Sequence, residues 1–476
     1  MELDKDLQAR QQARDFARKA AKAQKILAQM SQEQVDAIVE AVAKAFSAAA
    51  SELADMAVRE TGFGNVADKI TKNVFASQSV YKAIKDMKTV GVLSENKQEK
   101  LWEVAVPVGV IAAIVPSTNP TSTVCYKALI ALKSGNAIVF SPHPKAALCT
   151  LRAADIVAKA AVAAGAPEGC ISCLGIPSMA GCQELMQAEQ VNLILATGGP
   201  GMVKAAYSSG KPAIGVGAGN GPVYLHPSAD LDKALEDILR SKTFDNGTVC
   251  ASEQSIVVEK AQEQQVKQLA SRKGFYFMDK EQAGRLAGLL FKPNGTLNPE
   301  IVGRTALELA EKAGFAVPAG TKILVAREQE AGPTRPYSME KLCPVLAFFV
   351  MENEEAVLEK AIEVLTHEGS GHTFAMHARD EDVVRRFSRH IPVSRFLVNT
   401  PAALGGIGAT TALFPALTLG CGAVGGSSSS NNISPMDLIN IRRVAWGNGE
   451  QPQKQGLTVS DDLVERITAK ILERLG

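Results

Sequence analysis

Apolar segments that alternate with helical ones place the strongest constraint on the fold of this chain. Buried strands are predicted at residues 108–116 (VGVIAAIVP), 136–142 (NAIVFSP) and 191–199 (VNLILATGG), with a shorter one at CISCLG, and helices are predicted between them. Strands that are apolar along their whole length are typical of parallel sheets with helices on both faces. The sequence therefore predicts a doubly wound α/β sheet that binds ligands at the carboxyl ends of its strands.

The rest of the sequence divides into further segments around this sheet. Ala-, Gln- and Lys-rich stretches with apolar residues at helical spacing precede it, and a second α/β unit follows it. The polar run GNGEQPQKQG has the composition of a flexible linker. The predicted organisation is a first unit at 1–227 with an extended arm near 98–107, a second α/β unit at 228–426, a segment at 427–446, a linker at 447–456 and a helix at 457–476.

Charge and cysteine usage exclude several classes of function. The 51 Lys and Arg residues balance the 50 Asp and Glu residues, so the chain lacks the excess of basic residues typical of proteins that bind nucleic acid or anionic membranes. No apolar run approaches the roughly 20 residues of a membrane span, and the N-terminus lacks the apolar core of a secretory signal. The eight cysteines are scattered, and Cys170 and Cys173 lack the second ligand pair of a zinc site. We therefore predict a cytoplasmic protein with reduced thiols, no metal site, no nucleic-acid partner and no membrane contact.

Three loops rich in glycine and small polar residues are suited to a nucleotide. PSTNP (116–120) and TGGPG (197–201) each follow a predicted strand, and the second opens a helix whose N-terminus offers N–H groups to a phosphate. GVGAGNGP (215–222) has so little side chain that it must turn sharply or allow close approach to its backbone. None of the three is a GxGxxG motif, and each alone is compatible with a structural turn. Together they favour a dinucleotide or a similar cofactor.

A cysteine in the stretch TFDNGTVCAS (243–252) is a candidate nucleophile. Cys250 follows the turn-forming pair Asn246-Gly247 and has small neighbours. Most cysteines are small buried hydrophobes, whereas a reactive one needs exposure and stabilisation of its thiolate. The neighbouring residues alone leave both interpretations open.

Several of these motifs resemble those of the CoA-acylating aldehyde dehydrogenases, including the aldehyde dehydrogenase half of bifunctional aldehyde-alcohol dehydrogenases. The resemblance starts with PSTNP, TGGPG, GVGAGN and KTFDNGTVCASEQS, continues through MEKLCP, GSGHT, VNTPAALGGIG and LTLGCG, and covers roughly residues 20–446. It implies the aldehyde dehydrogenase fold, with a Rossmann-like domain for NAD and CoA, an α/β catalytic domain and a small oligomerisation arm. It also implies a homodimer or a dimer of dimers.

The resemblance also assigns roles to individual residues. Cys250 is implied to be the nucleophile that attacks an aldehyde and becomes a thioester. Its backbone N–H and the side chain of Asn119 are the implied oxyanion donors, with Thr118 as the alternative to Asn119. His372, in a predicted loop, would shape the site or assist proton transfer, and a purely structural histidine is the alternative. Glu340 would hold the nicotinamide ribose, with an exposed surface charge as the alternative. The residues implied to contact the cofactor are Pro116, Ser117, Thr118, Asn119, Gly198, Gly199, Gly217, Glu340, Gly420 and Gly422.

One departure from the hydrolytic members of the family bears on the reaction. Those enzymes carry a glutamate in the glycine-rich run and use it to activate water against the thioester, whereas here the corresponding place is Val216 or an adjacent glycine. The resemblance therefore implies that coenzyme A accepts the acyl group, reversibly, from a short aldehyde such as acetaldehyde or propionaldehyde. NAD is the implied cofactor, and NADP stays open because Ser141, Pro142 and His143 replace a lysine that hydrolytic members use at the adenosine ribose. A hydrolytic enzyme and a catalytically silent scaffold are the alternatives.

The last segment, LTVSDDLVERITAKILERLG (457–476), has the pattern of an amphipathic helix. Ser460 and two aspartates form its expected N-terminal cap. Its apolar stripe consists of Leu463, Val464, Ile467, Ile471 and Leu475. The segment resembles the encapsulation peptides that dock enzymes to shell proteins of bacterial microcompartments. The expected location is therefore the lumen of a microcompartment in the bacterial cytoplasm, with packing against the enzyme's own dimer as the alternative.

Overall fold

A computed structural model describes residues 4–447 and 461–475 of the chain. Its helices are α1 (Lys5–Leu27), α2 (Gln32–Ala48), α3 (Ala50–Thr61), α4 (Val66–Val74), α5 (Val80–Ile84), α6 (Pro120–Lys133), α7 (Ala147–Ala163), α8 (Met179–Gln187), α9 (Pro200–Tyr207), α10 (Leu231–Thr243), α11 (Glu263–Arg272), α12 (Lys280–Leu290), α13 (Ala306–Lys312), α14 (Glu354–His367), α15 (Glu381–His390), α16 (Ala402–Gly406) and α17 (Asp461–Leu475). Its strands are β1 (Gly91–Asn96), β2 (Leu101–Pro107), β3 (Val110–Ile114), β4 (Ala137–Ser141), β5 (Ile171–Cys173), β6 (Val191–Thr197), β7 (Ala213–Val216), β8 (Gly221–Leu225), β9 (Glu253–Glu259), β10 (Phe275–Phe277), β11 (Ile323–Glu328), β12 (Val345–Met351), β13 (Gly371–His377), β14 (Val393–Val398) and β15 (Ile439–Ala445). Apart from Gly447, the predicted linker at 447–456 lies outside the described residues, as does the predicted cap Ser460.

The first sheet has five parallel strands in the order β5-β4-β3-β6-β7. Each strand predicted from the apolar segments of this region is present, and β3 and β4 are buried along their whole length. From β3 the chain continues to β4 on one side, whereas from β6 it continues to β7 on the other. Loops that follow such a pair of strands diverge and leave a crevice at the carboxyl edge of the sheet. The predicted doubly wound sheet is confirmed, and its crevice lies after β3 and β6.

The second sheet has seven parallel strands in the order β10-β11-β12-β9-β8-β13-β14. Successive side chains of a strand point to opposite faces, and β8 shows this clearly. Its Tyr224 joins a buried cluster with residues of α12 and α14, whereas Val223 and Leu225 join another with residues of α10 and α11. The sequence prediction begins the second unit at residue 228, but β8 pairs with β9 and β13, so this sheet starts at Gly221.

A small antiparallel sheet, in the order β1-β2-β15, forms from the predicted arm and the segment at 427–446. β15 pairs with β2 along its whole length. The side chains of this sheet are mostly half-buried or exposed, and Trp102 packs edge to face against Trp446 with ring centroids 4.8 Å apart. The extended structure predicted for the arm is present, and its role in joining subunits stays a prediction.

The terminal helix α17 is exposed along its whole length. The residues of its predicted apolar stripe are between 45% and 80% exposed, so no other described segment of the same chain covers them. Among the described residues, no helix combines the length and the apolar character that a membrane crossing would require.

Candidate active site

A cavity of about 590 Å³ lies where the carboxyl edge of the five-stranded sheet faces the amino edge of the seven-stranded sheet. The loops after β3, β6 and β7 line one side, and the segments that precede β9, β12 and β13 line the other. Most of the predicted site residues meet on its wall: Pro116, Ser117, Thr118, Asn119, Gly198, Gly199, Gly217, Cys250 and Glu340. His372, Gly420 and Gly422 lie outside the lining.

Cys250 reaches the cavity on a sharply turned loop between α10 and β9. Asp245, Asn246 and Gly247 have left-handed backbone conformations, with φ angles of 49°, 52° and 78°. Asp and Asn tolerate this region better than other residues with a side chain, and glycine adopts it freely. The sequence DNG therefore suits the turn that presents the thiol. All eight cysteines lie in the described part of the chain, and among them Cys250 alone lines the cavity.

The amide of Asn119 is held in one orientation beside this nucleophile loop. Its Oδ1 accepts a hydrogen bond of 2.6 Å from Lys72 Nζ. Its Nδ2 donates to Thr118 Oγ1 at 3.1 Å and to the carbonyl oxygen of Thr248 at 3.3 Å. An ammonium group can only donate, so it decides which end of the amide carries the N–H groups. Asn119 thus presents donors next to the loop of Cys250, as an oxyanion site requires.

A buried ion cluster, which sequence analysis missed, supports the same loop. Asp245 Oδ2 accepts from Lys69 Nζ at 2.8 Å and from Lys72 Nζ at 2.5 Å, and all three side chains are at most 4% exposed. Although burial raises it, the pKa of Asp245 is held below its ordinary value by the two lysines. Burial lowers the pKa of Lys72 to about 8, against the attraction of Asp245. The cluster connects α4 to the turn that carries the nucleophile.

Gly219, in the third glycine-rich loop, packs directly on the nucleophile loop. A Cβ atom at this position would lie 2.0 Å from the carbonyl oxygen of Cys250 and 3.2 Å from His372 Cε1. Real Cβ atoms do not approach other atoms that closely, so the position needs glycine. The close backbone approach predicted as one possibility for residues 215–222 therefore occurs at Gly219.

His372 packs behind Gly219 and does not line the cavity. The predicted loop position is wrong, because Gly371, with a φ of 77°, already starts strand β13 and His372 is its second residue. The ring is fully buried, and its Nδ1 lies 2.9 Å from Thr373 Oγ1. Burial, with the charge of Arg395 in addition, lowers the pKa of His372 to about 3. The imidazole is therefore neutral at physiological pH, which suits packing better than proton donation.

Two carboxyl groups, those of Glu340 and Glu368, line the cavity close to Gly219. Glu340 Oε1 accepts a hydrogen bond of 2.9 Å from the N–H of Gly219, and Glu368 Oε2 accepts one of 2.7 Å from the N–H of Glu340. Burial, and then the charge of Glu368, raise the pKa of Glu340 to about 8. Val216 and Gly217, the candidates for the place of the missing glutamate, also line the cavity, and neither carries a carboxyl group.

The buried Arg395 supplies positive charge near the nucleophile. Its guanidinium donates to three backbone carbonyl groups and to Asn432 Oδ1, and no carboxylate in the described ranges forms an ion pair with it. Burial, and then the charge of Glu340, raise the pKa of the Cys250 thiol to about 12, whereas Arg395 lowers it. The thiol is therefore protonated at neutral pH. Among the described residues, Arg395 is the cation whose charge favours the thiolate of Cys250.

The predicted loop LTLGCG contributes its leucines to the cavity, where the sequence suggested its glycines. Leu417 and Leu419 line the wall. The N–H groups of Gly420 and Gly422 instead bond to carbonyl groups of the returning chain, both at 2.8 Å. A Cβ atom at Gly420 would lie 2.3 Å from the carbonyl oxygen of Ser429, so this glycine permits the close pairing of the loop. The two glycines lie outside the cavity lining, and the cofactor contact implied for them stays a prediction.

Comparison with known proteins places this site in a family. The sequence model of the aldehyde dehydrogenase family matches residues 5–274, which is more than half of the chain and includes Asn119 and Cys250. The chain belongs to the aldehyde dehydrogenase family. The resemblance predicted from the motifs is confirmed, and so is the aldehyde dehydrogenase fold.

One curated relative of this aldehyde dehydrogenase is the bifunctional aldehyde-alcohol dehydrogenase AdhE of Escherichia coli (strain K12). The two are 48% identical over 429 residues, which cover 89% of this chain and 48% of the relative. The chain thus spans about half the length of that protein.

Two solved structures superpose on the chain over most of its length. An acetylating aldehyde dehydrogenase from Geobacillus thermoglucosidasius has a TM-score of 0.93 and 50% identity, and the match covers 95% of this chain and 100% of the other. A propionaldehyde dehydrogenase from the Clostridium phytofermentans fucose utilisation bacterial microcompartment has a TM-score of 0.82 and 29% identity. The match covers 90% of this chain and 96% of the other.

The wall of the cavity fits the dinucleotide cofactor that this family uses. Gly199 is the N-cap of α9 and provides no side-chain cap. Pro200 has no N–H, and the N–H groups of Met202 and Val203 bond to the Gly199 carbonyl, which leaves the N–H of Gly201 to face a phosphate. No protein atom lies within 4 Å of the Cβ position of Gly199 or Gly217, which leaves room for a ligand against the backbone. In the part of the chain that the structure describes, no three His, Cys, Asp or Glu side chains form a group that could hold a metal ion.

Proposed function

We propose that the chain is an acylating aldehyde dehydrogenase that converts a short aliphatic aldehyde, NAD and coenzyme A into acyl-CoA and NADH, reversibly. The observation that carries this proposal is that Cys250 and Asn119 line one cavity whose glycine-rich loops suit a dinucleotide, with the Asn119 amide bonded to Thr248 in the loop of Cys250. The similarity to an acetylating aldehyde dehydrogenase over the whole length of that chain supports it.

In the first half of the proposed reaction, the Cys250 thiol gives up its proton to water, and the sulfur attacks the aldehyde carbon. A C–S bond forms and the electron pair of the C=O bond moves to oxygen, to which Asn119 Nδ2 and the backbone N–H of Cys250 are the proposed hydrogen-bond donors. The bound nicotinamide would accept the hydride that the carbon then loses. Cys250 is left as a thioester.

In the second half, the thioester must pass its acyl group to an acceptor. Val216 or an adjacent glycine stands where hydrolytic members carry their base, and neither residue type can activate water. The thiol of coenzyme A is the proposed acceptor, and exchange between two thioesters is close to balanced in free energy. The proposed reaction can therefore also run from acyl-CoA to aldehyde.

The carboxyl groups in the cavity favour a second candidate, hydrolysis. Glu340 and Glu368 both reach the wall, and a carboxylate can act as a base toward water. Both carboxyl groups are, however, engaged with the backbone, since Glu340 accepts from the N–H of Gly219 and Glu368 from the N–H of Glu340. We prefer transfer to coenzyme A because the similarity to an acetylating aldehyde dehydrogenase supports it.

A dependence of turnover on coenzyme A tests the two candidates against each other. The purified protein should reduce NAD in the presence of acetaldehyde or propionaldehyde only when coenzyme A is supplied, with one NADH formed for each thioester. Without coenzyme A it should give a single burst of NADH, and mass spectrometry should find the acyl group on Cys250. Steady NADH production without coenzyme A, with release of free acid, would show a hydrolytic enzyme.

A Cys250→Ala variant is the control for this assay and also tests the alternative of a silent scaffold. The variant should lose the NADH burst and keep the wild-type unfolding temperature, because the side chain is half-buried and replaced by a smaller one. Its neighbour control is Cys421→Ala, which removes a buried thiol outside the cavity lining and should keep the burst. Absence of a burst in the wild-type protein would favour the scaffold.

The finer substrate and cofactor assignments belong to the same proposal. Rates with aldehydes of two, three and four carbons should be highest for the shorter ones. NAD is the proposed cofactor, and His143 is the cavity residue that replaces the ribose-binding lysine of hydrolytic members. A lower KM for NADP than for NAD would overturn that choice.

We also propose that the protein works as a homodimer or a dimer of dimers inside a bacterial microcompartment. The small β1-β2-β15 sheet is suited to pairing between subunits, and α17 exposes an apolar stripe for a shell protein. One of the similar solved structures comes from a microcompartment, which supports the location. A monomer in sedimentation velocity would contradict the oligomer.

A further inference from the structure

Helix α4 turns its polar face toward the protein interior. Its buried residues are Lys69, Lys72 and Asn73, whereas amphipathic helices usually bury an apolar face. Lysines are rarely buried without a partner, because removing an ammonium group from water is costly. A role that requires the ammonium group therefore has to be sought in its contacts.

Lys72 makes three polar contacts around the nucleophile loop. Its Nζ donates to Asn119 Oδ1 at 2.6 Å, to Asp245 Oδ2 at 2.5 Å and to Thr248 Oγ1 at 3.1 Å. Asp245 and Thr248 belong to the turn that carries Cys250, and Asn119 belongs to the loop after β3. One ammonium group thus connects the proposed oxyanion donor to the segment of the nucleophile.

The contact with Asn119 has two consequences for the amide. It holds Oδ1 on the ammonium group and leaves Nδ2, whose contact with the Thr248 carbonyl is long at 3.3 Å, able to donate to a nearer acceptor. A cation on Oδ1 also polarises the amide, and donors in such chains of hydrogen bonds are strengthened. Both effects favour donation to an oxygen that gains negative charge.

We propose that Lys72 is a positioning residue for the attack by Cys250, acting through the Asn119 amide. The inference rests on the proposed function and adds a residue to it. When the Cys250 sulfur bonds to the aldehyde carbon and the C=O electron pair moves to oxygen, Asn119 Nδ2 donates to that oxygen while Lys72 holds Oδ1. Lys72 gives up no proton and touches no reacting atom.

Lys69 offers a matched control in the same cluster. It also pairs with Asp245 Oδ2, at 2.8 Å, but its second contact is the carbonyl oxygen of Thr118 at 3.0 Å and it does not contact the Asn119 side chain. A purely structural role of the cluster would make the two lysines equivalent. If Lys72 acts through the Asn119 amide, its loss should slow the reaction more than the loss of Lys69.

The experiment measures the first-turnover burst of NADH without coenzyme A in Lys72→Met, Lys69→Met, Asn119→Ala and the double variant Lys72→Met with Asn119→Ala. Loss of a single oxyanion donor lowers rates by roughly 10²–10³-fold, so Lys72→Met should slow the burst by roughly 10- to 100-fold. The KM for aldehyde should change by less than about threefold, because the contact acts after binding. Lys69→Met should slow the burst by less than about threefold, since the amide keeps its partner.

The double variant decides between the two roles. If Lys72 acts through Asn119, the double variant should be no slower than Asn119→Ala alone. If the double variant slows the burst by the product of the factors seen in Lys72→Met and Asn119→Ala, the proposal is wrong. Equal slowing of the burst in Lys72→Met and Lys69→Met would also overturn it. Lys72→Gln, whose amide can still donate to Oδ1, should recover part of the rate, and it replaces Lys72→Met in the same comparison if that variant fails to fold. An inactive wild-type protein would instead refute the proposed function.

Discussion

The carbonyl oxygen of Cys250 lies against the backbone of Gly219, where a Cβ atom would come within 2.0 Å of it. The contact joins the third glycine-rich loop to the segment of Cys250, and His372 Cε1 lies 3.2 Å from the same Cβ position. The position of the thiol therefore depends on a residue that has no side chain.

Replacement of Gly219 by alanine should displace the nucleophile. The added methyl group must push the Cys250 backbone out of place, because the atom it meets is a backbone oxygen and not a flexible side chain. We expect loss of the NADH burst and a changed rate of Cys250 alkylation by iodoacetamide. Gly217→Ala is the control from the same loop, since its Cβ would meet no protein atom within 4 Å. It should keep the wild-type alkylation rate, and equal changes in the two variants would contradict the explanation.

The charge of Glu340 should slow alkylation of Cys250 only in alkaline solution. Glu340 raises the pKa of the thiol when it is ionised, and its own pKa is about 8. Below that pH the carboxyl group is mostly neutral, so Glu340→Gln and the wild type should react at similar rates near pH 7. Above it the wild type carries the negative charge, and the variant should react faster. Alkylation rates of the wild type and the variant, measured from about pH 6.5 to 9.5 in ligand-free protein, should show where the two rates begin to differ.

Glu368→Gln tests the cause of the raised pKa of Glu340. Burial is the largest cause that raises the pKa of Glu340, and repulsion by the charge of Glu368 is the second. Removal of that charge should let Glu340 ionise at lower pH, so slowing of Cys250 alkylation should begin at lower pH than in the wild type. If alkylation begins to slow at the same pH in Glu368→Gln and in the wild type, burial alone sets the pKa of Glu340.

Arg395→Met should raise the pKa of the Cys250 thiol. The guanidinium is 2% exposed and favours the thiolate, so its loss should slow alkylation at every pH at which the thiol is still mostly protonated. Arg395→Lys keeps the charge and should retain more of the rate. A surface control is Arg379→Met, whose side chain is 72% exposed and pairs with Asp230. Unchanged alkylation in Arg395→Met would remove the electrostatic role.

Loss of the charge of Asp245 should be costly for stability. Asp245→Asn would leave two buried ammonium groups without their carboxylate, and breaking a buried ion pair costs about 3–5 kcal/mol. Asp155→Asn is the matched control, because this carboxylate also accepts from two cations but at 41% exposure, where such pairs contribute little. Urea unfolding should show a large shift of the midpoint for the first variant and hardly any for the second.

The same ion cluster predicts a direction for acid sensitivity. The pKa of Asp245 is lower in the folded protein than its ordinary value, so its contribution to stability is complete above the ordinary pKa. That contribution is lost as the pH falls through the lowered value. Asp245→Asn has no such group to titrate, and the difference in unfolding midpoint between wild type and variant should therefore shrink in acid.

The sheets and the turn before Cys250 could be predicted from the sequence because their signals are local. Strands such as β3 and β4 are short apolar runs between helical segments, and DNG is a turn sequence in any context. Cys250 and Asn119 were identified by motifs that resemble a family, and both reach the cavity.

The ion cluster could not be predicted because its signal is not local. Lys72 and Asp245 are 173 residues apart in the sequence, and a lysine in a short polar helix is normally expected in solvent. His372 was placed in a loop because glycines flank it, although the backbone of Gly371 already belongs to a strand. Gly420 and Gly422 were expected at the cofactor because the LTLGCG loop resembles one that closes over the nicotinamide in related enzymes. Gly420 also permits a close approach of Ser429 from the same chain, which no local pattern predicts.

The terminal helix should be separable from catalysis. Helix α17 is exposed along its whole length, and every residue that lines the cavity lies before residue 420. Removal of residues 448–476 should therefore leave the CoA-dependent turnover of purified protein nearly unchanged. A substantially lower kcat or unfolding temperature in the truncated protein would show that the segment is a structural part of the enzyme.

The apolar stripe of α17 should direct the protein to a shell. Residues 457–476 fused to a fluorescent protein should recruit it to microcompartment shells, because Ile467 and Ile471 are about half exposed and offer apolar surface to a partner. Replacing both isoleucines with glutamate puts charge on the stripe and should leave the fusion diffuse. The matched control replaces Glu465 and Glu473, outside the predicted stripe, with glutamine, which keeps the stripe and should keep recruitment. A fusion that stays diffuse in cells that contain shells would remove the main support for the microcompartment location.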